Sequence, residues 1–397
     1  MVACEPAGGN PLRAVGGISL LERLFRQLSE LEGIGTILVL KPGELSLPSP
    51  SSRVRKPVVY QSAPGTNAWE MLRDAGTHLH ERFIVVAADL LIDQRLLAWL
   101  TSQDTDAMLS SGAGAPTELA AHLHRRSLDA ASPKAAGVEV VTVSQLPSYW
   151  ESMHGEVPLH LHRVASEADA EQAWQILLDH IQRRTLDLPA RYFDPVFETL
   201  LVRRLAPTAI TANQVTAVTT VLGFVVCALY CAGWLRAGVL LAIFVEVLDG
   251  VDGKLARITR TTSRLGEYEH VFDFFYENSW YLGLASFLSR NGLPSAWTAT
   301  ALIIAFDLTD NIVYAVMDKK AGRSLDNASP FLARFRLIAG RRNIYTWLFL
   351  PGFFLGVPAF SFYLAVVWAG ITAAVHATWG IAEALRLTRM QITRSRA

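Results

Sequence analysis

Apolar positions are distributed unevenly along this chain, and the distribution separates two regions. Residues 1–190 alternate short apolar runs with polar stretches, whereas residues 210–385 are dominated by long apolar runs. Runs of about 20 apolar residues are long enough to cross a bilayer as helices. The pattern therefore predicts six membrane helices, at 211–233, 236–257, 266–289, 295–318, 343–357 and 359–384.

The first region has the pattern of an α/β domain. Short runs rich in β-forming residues lie at 36–40, 58–60 and 83–87, and candidate helices at 19–32 and 67–80 separate them. This alternation is typical of a layered domain with a mostly parallel sheet. An amphipathic helix at 166–184 is expected to pack against it.

These patterns divide the chain into three parts. Residues 1–187 form the predicted α/β domain, and residues 210–397 form the predicted all-α bundle of six membrane helices. Between them, 188–209 is a linker in which apolar residues recur at helical spacing with arginines on the other side. Such a helix is expected to lie in the membrane interface.

Composition and charge agree with a membrane protein that carries a soluble part. Hydrophobic residues make up 51% of the 397 residues, and the mean hydropathy is +0.26. The formal net charge is zero, so no attraction to nucleic acid is expected. Two of the three cysteines, Cys227 and Cys231, lie in the first predicted membrane helix, which argues against a disulfide framework or a zinc site.

Basic residues predict the orientation in the membrane. They cluster before the first predicted helix, between the second and third, between the fourth and fifth, and after the sixth, whereas the opposite loops hold only Arg236 and Arg290. Cytoplasmic loops carry the excess of Lys and Arg. We therefore expect a multi-pass protein of the cell inner membrane, with both termini and the soluble domain cytoplasmic.

Four carboxylates are concentrated where the second predicted membrane helix ends. Asp249 and Asp252 are three residues apart and share a helix face, and Glu269 and Asp273 are four apart and share a face of the next helix. Acids at a membrane boundary are costly and usually functional. A hairpin of the two helices would direct all four toward one volume, as a site for two Mg²⁺ or Mn²⁺ ions requires.

Small and basic residues accompany the first two acids. Gly253 and Ala256 would let a nucleotide approach the helix backbone closely. Arg257 follows one turn later and suits a phosphate oxygen. Glu246 lies one turn before Asp249, where it would support the metal ligands.

This stretch resembles the signature of CDP-alcohol phosphotransferases, D-x2-D-G-x2-A-R-x8-G-x3-D-x3-D. The positions that match in order and spacing are Asp249, Asp252, Gly253, Ala256, Arg257 and Gly266. In strict register, His270 and Phe274 stand at the last two aspartate positions. A shift of one residue places Glu269 and Asp273 there instead, and we prefer it because phenylalanine neither binds metal nor accepts a proton. His270 would then flank the site, either as a structural histidine or as a direct ligand.

The resemblance implies an activity and roles for these residues. Members of the family transfer a phospho-alcohol group from a CDP-alcohol to an acceptor hydroxyl and release CMP, and they are commonly homodimers. By this resemblance, Asp273 is the expected base. Asn213 and Thr216, in a stretch TANQVT similar to one that family members carry near the nucleotide, are either nucleotide-side residues or part of a helix cap.

A basic cluster before the fifth predicted membrane helix is the candidate acceptor site. Arg334, Arg341 and Arg342 would bind either the phosphate of an acceptor or the headgroups of anionic membrane lipids. Asp307 and Asp310 in the fourth helix are intramembrane acids, which either pair with these arginines or line a polar cavity.

The first domain resembles sugar-nucleotide nucleotidyltransferases at 10–28, 65–72 and 83–93, where Asp89 would be the metal-binding aspartate. The glycine-rich phosphate loop of that fold is reduced here to ACEPAGGN, and Arg13 stands where a lysine is expected. The resemblance therefore implies a degenerate domain that docks on, stabilises or regulates the membrane part. Fusions of these two domain types make CDP-inositol and condense it with inositol phosphate.

Three hypotheses follow from the sequence. The first is a membrane CDP-alcohol phosphotransferase, and the second is a bifunctional enzyme whose first domain also makes the CDP-alcohol from CTP. The third is a membrane scaffold with a decayed site, supported by His270 and Phe274 in strict register. The sequence leaves the donor alcohol and the acceptor open, with lipids and polyols both possible.

Overall fold

The structure is a computed structural model, which describes residues 1–4, 9–43, 45–65, 67–112, 119–150, 155–182, 186–261, 264–321 and 324–396. Within these ranges, the side chains at 77–78, 155, 264–272, 320–321, 327 and 387–396 lie outside the description.

The first part of the chain is an α/β domain, as predicted. Its strands are β1 (Val2–Ala3), β2 (Ala14–Val15), β3 (Ile18–Ser19), β4 (Ile37–Lys41), β5 (Val58–Ser62), β6 (Arg82–Ala87), β7 (Leu90–Ile92), β8 (Ala107–Ser110), β9 (Ala120–His124), β10 (Glu139–Thr142), β11 (Tyr149–Trp150), β12 (Gly155–Glu156) and β13 (Leu161–Arg163). Its helices are α1 (Leu20–Glu30), α2 (Ala68–Asp74), α3 (Gln94–Thr101) and α4 (Glu167–Ile181).

Seven strands form the main sheet in the order β10-β8-β9-β6-β1-β4-β5. The β6–β9 and β8–β9 pairs are antiparallel and the other pairs are parallel, so the sheet is mixed. Apolar cores cover both faces, with α1 and α3 on one side and α2 on the other. Burial on both faces explains why the predicted strands read as continuous apolar runs.

The second part of the chain is helical. Two short helices, α5 (Leu188–Tyr192) and α6 (Asp194–Leu205), lead into α7 (Ala212–Ala232), α8 (Leu235–Thr259), α9 (Arg264–Arg290), α10 (Ala296–Ala321), α11 (Pro330–Phe335), α12 (Arg342–Phe354) and α13 (Pro358–Arg396). Gly233, with φ of +83°, ends α7 in the left-handed conformation and allows the sharp turn into α8.

The prediction of six membrane spans is not supported. Within the described residues, three helices are long and apolar enough to cross a membrane, at Ala212–Ala232, Ala296–Lys319 and Pro358–Arg386. Charged side chains are concentrated in the second half of α8 and in the first half of α9. The 13 residues of α12 reach only about 20 Å, less than the hydrocarbon thickness of about 30 Å.

One apolar core joins the two parts of the chain. Leu178 and Ile181 of α4 pack with Val202 of α6 and with Leu255 and Ile258 of α8. The predicted interfacial helix is therefore not a purely lipid-facing element, because α6 buries Glu198 and Val202 against α8. The first domain is docked on the helix that carries Asp249 and Asp252.

Helices α7 and α9 approach each other closely at Gly223. A Cβ atom at this position would lie 2.6 Å from Cδ2 of Tyr276, and the Gly223 carbonyl accepts a hydrogen bond of 2.8 Å from the Trp280 indole. Tyr276 and Trp280 are both fully buried. The contact thus fixes the distance between the first membrane helix and the helix of Asp273.

We expect Gly223→Ala to destabilise the bundle by about 1–3 kcal/mol, because the added methyl group overlaps a buried ring that has no room to move. Thermal unfolding in detergent measures the effect. The control is Val221→Ala on the same helix, since the Val221 side chain is 63% exposed. Equal unfolding temperatures for the two variants would contradict this account of the packing.

Candidate active site

A polar cavity of about 350 Å³ lies among α5, α6, α8, α9, α10 and α12. Among the described residues, nine carboxylates and five cationic side chains line it, so full ionisation of this set leaves an excess of negative charge. The carboxylates are Asp187, Asp194, Glu198, Glu246, Asp249, Asp273, Glu277, Asp307 and Asp310. The cationic residues are Lys254, Arg257, Arg336, Arg341 and Arg342. Such an excess of oxygen donors favours hard divalent cations.

Asp249 faces this cavity from α8 and is held by Arg342. An Arg342 nitrogen lies 2.6 Å from Oδ2 of Asp249, and its other terminal nitrogen lies 2.5 Å from Glu277 Oε1 and 2.5 Å from the Tyr276 hydroxyl. One guanidinium therefore ties together α8, α9 and α12. The predicted acceptor residue Arg342 is thus a counter-ion of a predicted metal ligand.

Asp252 lies behind Asp249 and is buried, with 2% of its surface exposed. The Thr216 hydroxyl of α7 donates a hydrogen bond of 2.7 Å to its Oδ2. Thr216, predicted on the nucleotide side or as part of a cap, therefore orients a predicted metal ligand. Asn213 lies half-buried in the first turn of α7 and is not among the described residues that line the cavity.

The α9 side of the site is described from Asp273 onward. Asp273 is half-buried, and both Asp273 and its neighbour Phe274 line the cavity. The side chains of Gly266, Glu269 and His270 lie outside the described residues. The choice between the two registers therefore stays a prediction, and so do the roles given to these three residues.

The small and basic residues of α8 are placed around the same cavity. Gly253 and Arg257 line it, and a Cβ at Gly253 would lie 3.5 Å from the nearest atom, the Arg257 Nη1. Ala256 is half-buried on the side that packs toward α4 and α6, and it does not line the cavity in the described part of the chain.

The predicted acceptor arginines do not all lie at the same place in the structure. Arg341 lines the cavity and its guanidinium lies 4.8 Å from the ring centre of Tyr314. Arg334 is exposed on α11 and is not among the described lining residues. Arg336, which does line it, lies 3.7 Å from Asp187 and 3.6 Å from Asp326.

Sequence reasoning missed several residues of the cavity. Glu277 continues the four-residue spacing that begins at Glu269 and Asp273, and this spacing was the available signal. Lys254 forms a buried ion pair of 2.5 Å with Glu198. Glu198 and Asp194 were missed because the helix at 191–205 was expected to lie in the membrane interface.

Asp194 and Glu198 are crowded carboxylates at the entrance of the helical domain. Burial, reinforced by the negative charges of Glu198 and Asp187, raises the pKa of Asp194 to about 7. Burial also raises the pKa of Glu198, although the Lys254 ammonium opposes this shift. The helix that precedes the first membrane helix therefore brings one acidic group with a pKa near neutrality, Asp194, to the edge of the cavity.

The intramembrane acids line the cavity, which is one of the two alternatives predicted for them. The Tyr345 hydroxyl donates a hydrogen bond of 3.0 Å to Asp307, and Asp310 lies 2.5 Å from Nδ1 of the fully buried His376. Partners on α12 and α13 thus compensate two acids of a membrane helix. His376 was missed because a single histidine in an apolar run gives no signal of its own.

Two of the predicted metal ligands, Asp249 and Asp273, line the cavity, and Asp252 is not among the described residues that line it. In the part of the chain that the structure describes, one set of three His, Cys, Asp or Glu residues has ligand atoms all within 4.8 Å of one another, and it is Asp93, His160 and His180. Asp249, Asp252 and Asp273 do not meet that limit. Their carboxylate chemistry and the negative excess nevertheless suit Mg²⁺ or Mn²⁺.

The Asp93 group lies in the α/β domain and is already hydrogen-bonded. Both Asp93 oxygens accept from the Arg95 guanidinium, at 3.0 and 2.7 Å. Both ring nitrogens of His180 face backbone carbonyls, those of Ile176 and Pro158. The group is therefore a polar network that fastens β7, α3 and α4, and we do not assign a metal to it.

Asp89, the predicted metal-binding aspartate of the first domain, is also engaged. Its Oδ2 accepts a hydrogen bond of 2.7 Å from the Gly9 amide and lies 2.9 Å from Nε of Arg163. An arginine thus supplies the positive charge that a metal ion would supply in an active nucleotidyltransferase. The reduced phosphate loop around residues 5–8 lies outside the described residues.

One family model matches part of the chain. Residues 209–379 match the family model of CDP-alcohol phosphatidyltransferase. No match was found among curated proteins.

A solved structure with some similarity is the crystal structure of Mycobacterium tuberculosis phosphatidylinositol phosphate synthase (PgsA1) with CDP-DAG bound. The identity is 18%, over 48% of this chain and 94% of that chain, with a TM-score of 0.36. A TM-score this low supports no conclusion about the chain.

Two glycines of α8 should respond differently to alanine. A Cβ at Gly250 would lie 1.6 Å from Oε1 of Glu198, so Gly250→Ala must displace the Glu198 carboxylate and disturb its ion pair with Lys254. We expect a loss of about 1–3 kcal/mol in stability. Gly253→Ala meets only ordinary contacts, so its stability should be unchanged while CDP binding weakens. Thermal unfolding and CDP titration measure the two effects, and a reversed outcome would contradict the assignment.

The stability of the first domain should depend on pH through His160. Burial lowers the pKa of His160 from an ordinary value of 6.5 to about 3. Between these values the unfolded chain binds a proton that the folded domain does not, so stability should fall as the pH drops from about 6.5 toward 3.

His160→Gln should flatten this dependence, and His162→Gln on β13, the strand that follows His160, is the control. Hydrogen exchange of the 156–181 segment in the full-length protein, followed at several pH values, measures it. An unchanged slope in His160→Gln would show that other groups cause the acid sensitivity.

Proposed function

We propose that this chain, whose residues 209–379 form a CDP-alcohol phosphatidyltransferase domain, transfers a phospho-alcohol group from a CDP-alcohol to an acceptor hydroxyl and releases CMP. The observation that carries the proposal is the single cavity lined by Asp249, Gly253 and Arg257 from α8 and by Asp273 from α9. These are four of the residues assigned to the signature, Asp273 in the shifted register, and two successive helices bring them to one cavity.

Divalent metal is the expected cofactor, because the family is generally dependent on it. Asp249, Asp252, Glu269 and Asp273 are the residues proposed to hold two Mg²⁺ or Mn²⁺ ions. When bound, the ions would neutralise the diphosphate of the donor. The excess of carboxylates over cationic side chains in the cavity supports this assignment.

The donor nucleotide is proposed to bind along α8. Gly253 leaves the helix backbone accessible at the cavity wall, so a ribose or phosphate can approach without meeting a side chain. Arg257, one turn further, is placed to bind a phosphate oxygen. Lys254 is not available for this role, because Glu198 holds its ammonium in a buried pair.

Asp273 is the proposed general base. Its carboxylate takes the proton of the acceptor hydroxyl, and the hydroxyl oxygen then forms a bond to the β-phosphorus, which carries the donor alcohol. The bond from this phosphorus to the bridging oxygen breaks, and CMP leaves with the electron pair. The product is a phosphodiester. Catalysis of this type depends mainly on positioning and electrostatics.

A second cavity favours a lipid as one reactant. This cavity, of about 590 Å³, has an almost entirely apolar lining from α5, α12 and α13 that includes Tyr192, Trp347 and Trp368. Helices α5 and α12 also contribute Asp187 and Arg342 to the polar cavity. A substrate with a polar head and an acyl chain would occupy both volumes, and we propose a membrane lipid as donor or acceptor.

Asp249→Asn, Asp252→Asn and Asp273→Asn should each lower CMP release at least about 100-fold, because direct ligands and the base cost more than the 10–100-fold of their supporting partners. The measurement is Mg²⁺-dependent CMP release in detergent, with CDP-diacylglycerol or CDP-inositol and a panel of polyols and polyol phosphates. The control is Asp318→Asn, an exposed acid of α10 outside the cavity lining.

The same assay separates the other hypotheses. Retained activity in both Asp249→Asn and Asp252→Asn would remove the metal assignment. Absence of both CMP release and metal-dependent CDP binding would favour a decayed scaffold. Pyrophosphate release from CTP by the full chain would indicate a bifunctional enzyme, which the Arg163–Asp89 contact argues against.

A further inference from the structure

The turn that follows α8 is held by the first domain. Nη1 of Arg26, on α1, donates a hydrogen bond of 2.5 Å to the carbonyl of Thr259, the last residue of α8. Arg26 is 8% exposed, and Glu22 fixes its guanidinium at 2.7 Å. A buried arginine of one domain therefore satisfies a terminal carbonyl of the other domain's helix.

Arg260 provides a second contact at the same place. It is the only residue other than glycine with a positive φ in the described chain, at 49°, a conformation that Cβ disfavours. Its amide closes α8 by bonding the carbonyls of Ala256 and Arg257. Its guanidinium pairs with Glu30 of α1 and lies 3.2 Å from Gln94 Oε1 of α3. Contacts with the first domain thus support a disfavoured turn.

The Gly16–Gly17 turn provides a third contact. Both residues have positive φ, at 67° and 82°. A Cβ at Gly16 would lie 2.7 Å from Ile258, and one at Gly17 would lie 1.9 Å from the Ala206 carbonyl. The backbone of the first domain is therefore pressed against the ends of both α6 and α8.

These contacts matter because they lie at the turn between the two helices that carry Asp249 and Asp273. Thr259 and Arg260 follow Arg257 by two and three residues, and the short connection after them leads into α9, which carries Asp273. The relative placement of Asp249 and Asp273 depends on how this turn is held. Misplacement of reacting groups by about 1 Å can cost about 100-fold in rate.

We infer that the first domain is a positioning element of the transferase site, acting through Arg26 and Arg260. The inference rests on the proposed function. It gives the domain a role that needs no nucleotidyltransferase activity, and it concerns the geometry of the carboxylates, not their chemistry.

The test compares full-length Arg26→Gln, Glu30→Arg, Arg260→Glu and the double variant Glu30→Arg/Arg260→Glu. The control is Arg82→Glu, which also breaks a single ion pair, here with Asp104 of the same domain, at a place away from α8. Three quantities are measured: Mn²⁺ affinity by electron paramagnetic resonance, hydrogen exchange of residues 254–261, and CMP release.

We expect Arg26→Gln and Arg260→Glu to weaken Mn²⁺ binding about tenfold, as loss of supporting partners does. Exchange at 254–261 should rise, with the unfolding temperature close to that of the control. The double variant should recover Mn²⁺ affinity, because the reversed pair restores the contact. Unchanged Mn²⁺ affinity in the single variants, or no recovery in the double variant, would overturn the inference.

Failure of the proposed function is recognised separately. If the unmodified protein releases no CMP with any substrate pair, the transferase assignment fails. Mn²⁺ affinity and hydrogen exchange still decide whether the first domain positions the site.

Discussion

The arrangement of the helical domain depends on compensating carboxylates at a membrane boundary. Unpaired charges in such a place are costly. Arg342 provides the compensating positive charge, because its guanidinium contacts Asp249, Tyr276 and Glu277. These partners belong to α8 and α9, and Arg342 opens α12. The same interaction therefore determines which three helices meet and where acidic groups can face a common cavity. Asp307 and Asp310 follow the same rule through Tyr345 and His376.

The two domains are joined by more than a linker. The core that holds Leu178 of α4 also holds Val202 of α6 and Leu255 of α8, so the helix of the signature is packed from both sides. Arg163 pairs with Asp89, so this predicted metal-binding aspartate is already engaged, and the Gly16–Gly17 turn fits closely against the ends of α6 and α8. An engaged aspartate beside a closely fitted docking surface is what a positioning role would produce.

Local features of the sequence predicted the fold well. Strands β4 and β6 are mostly apolar runs inside the sheet, where burial on both faces requires apolar side chains, whereas the edge strand β5 is half-exposed and its apolar run is shorter. Six spans were predicted because apolar runs alone do not distinguish a membrane span from a helix buried in protein. Charges on α8 and the shortness of α12 make that distinction.

The site residues that follow a regular spacing in the sequence could be predicted, whereas the pairs that only tertiary contacts bring together could not. Asp249, Gly253, Arg257 and Asp273 line one cavity, as their positions on two successive helices indicated. The pairing of Lys254 with Glu198 and that of Asp252 with Thr216 join residues far apart in sequence, and no local pattern contains them.

The cavity-facing stripe of α9 bears on the choice of register. Asp273, Phe274, Glu277, Asn278 and Tyr281 all line the cavity, so the helix face alone accommodates the second position of either register. Chemistry then discriminates between the two, since of Asp273 and Phe274 only the carboxylate binds a cation or accepts a proton. Glu277, one turn beyond Asp273, is already neutralised by Arg342. In the register that we propose, Asp273 is the acid that acts on the acceptor, and it lies on the cavity wall.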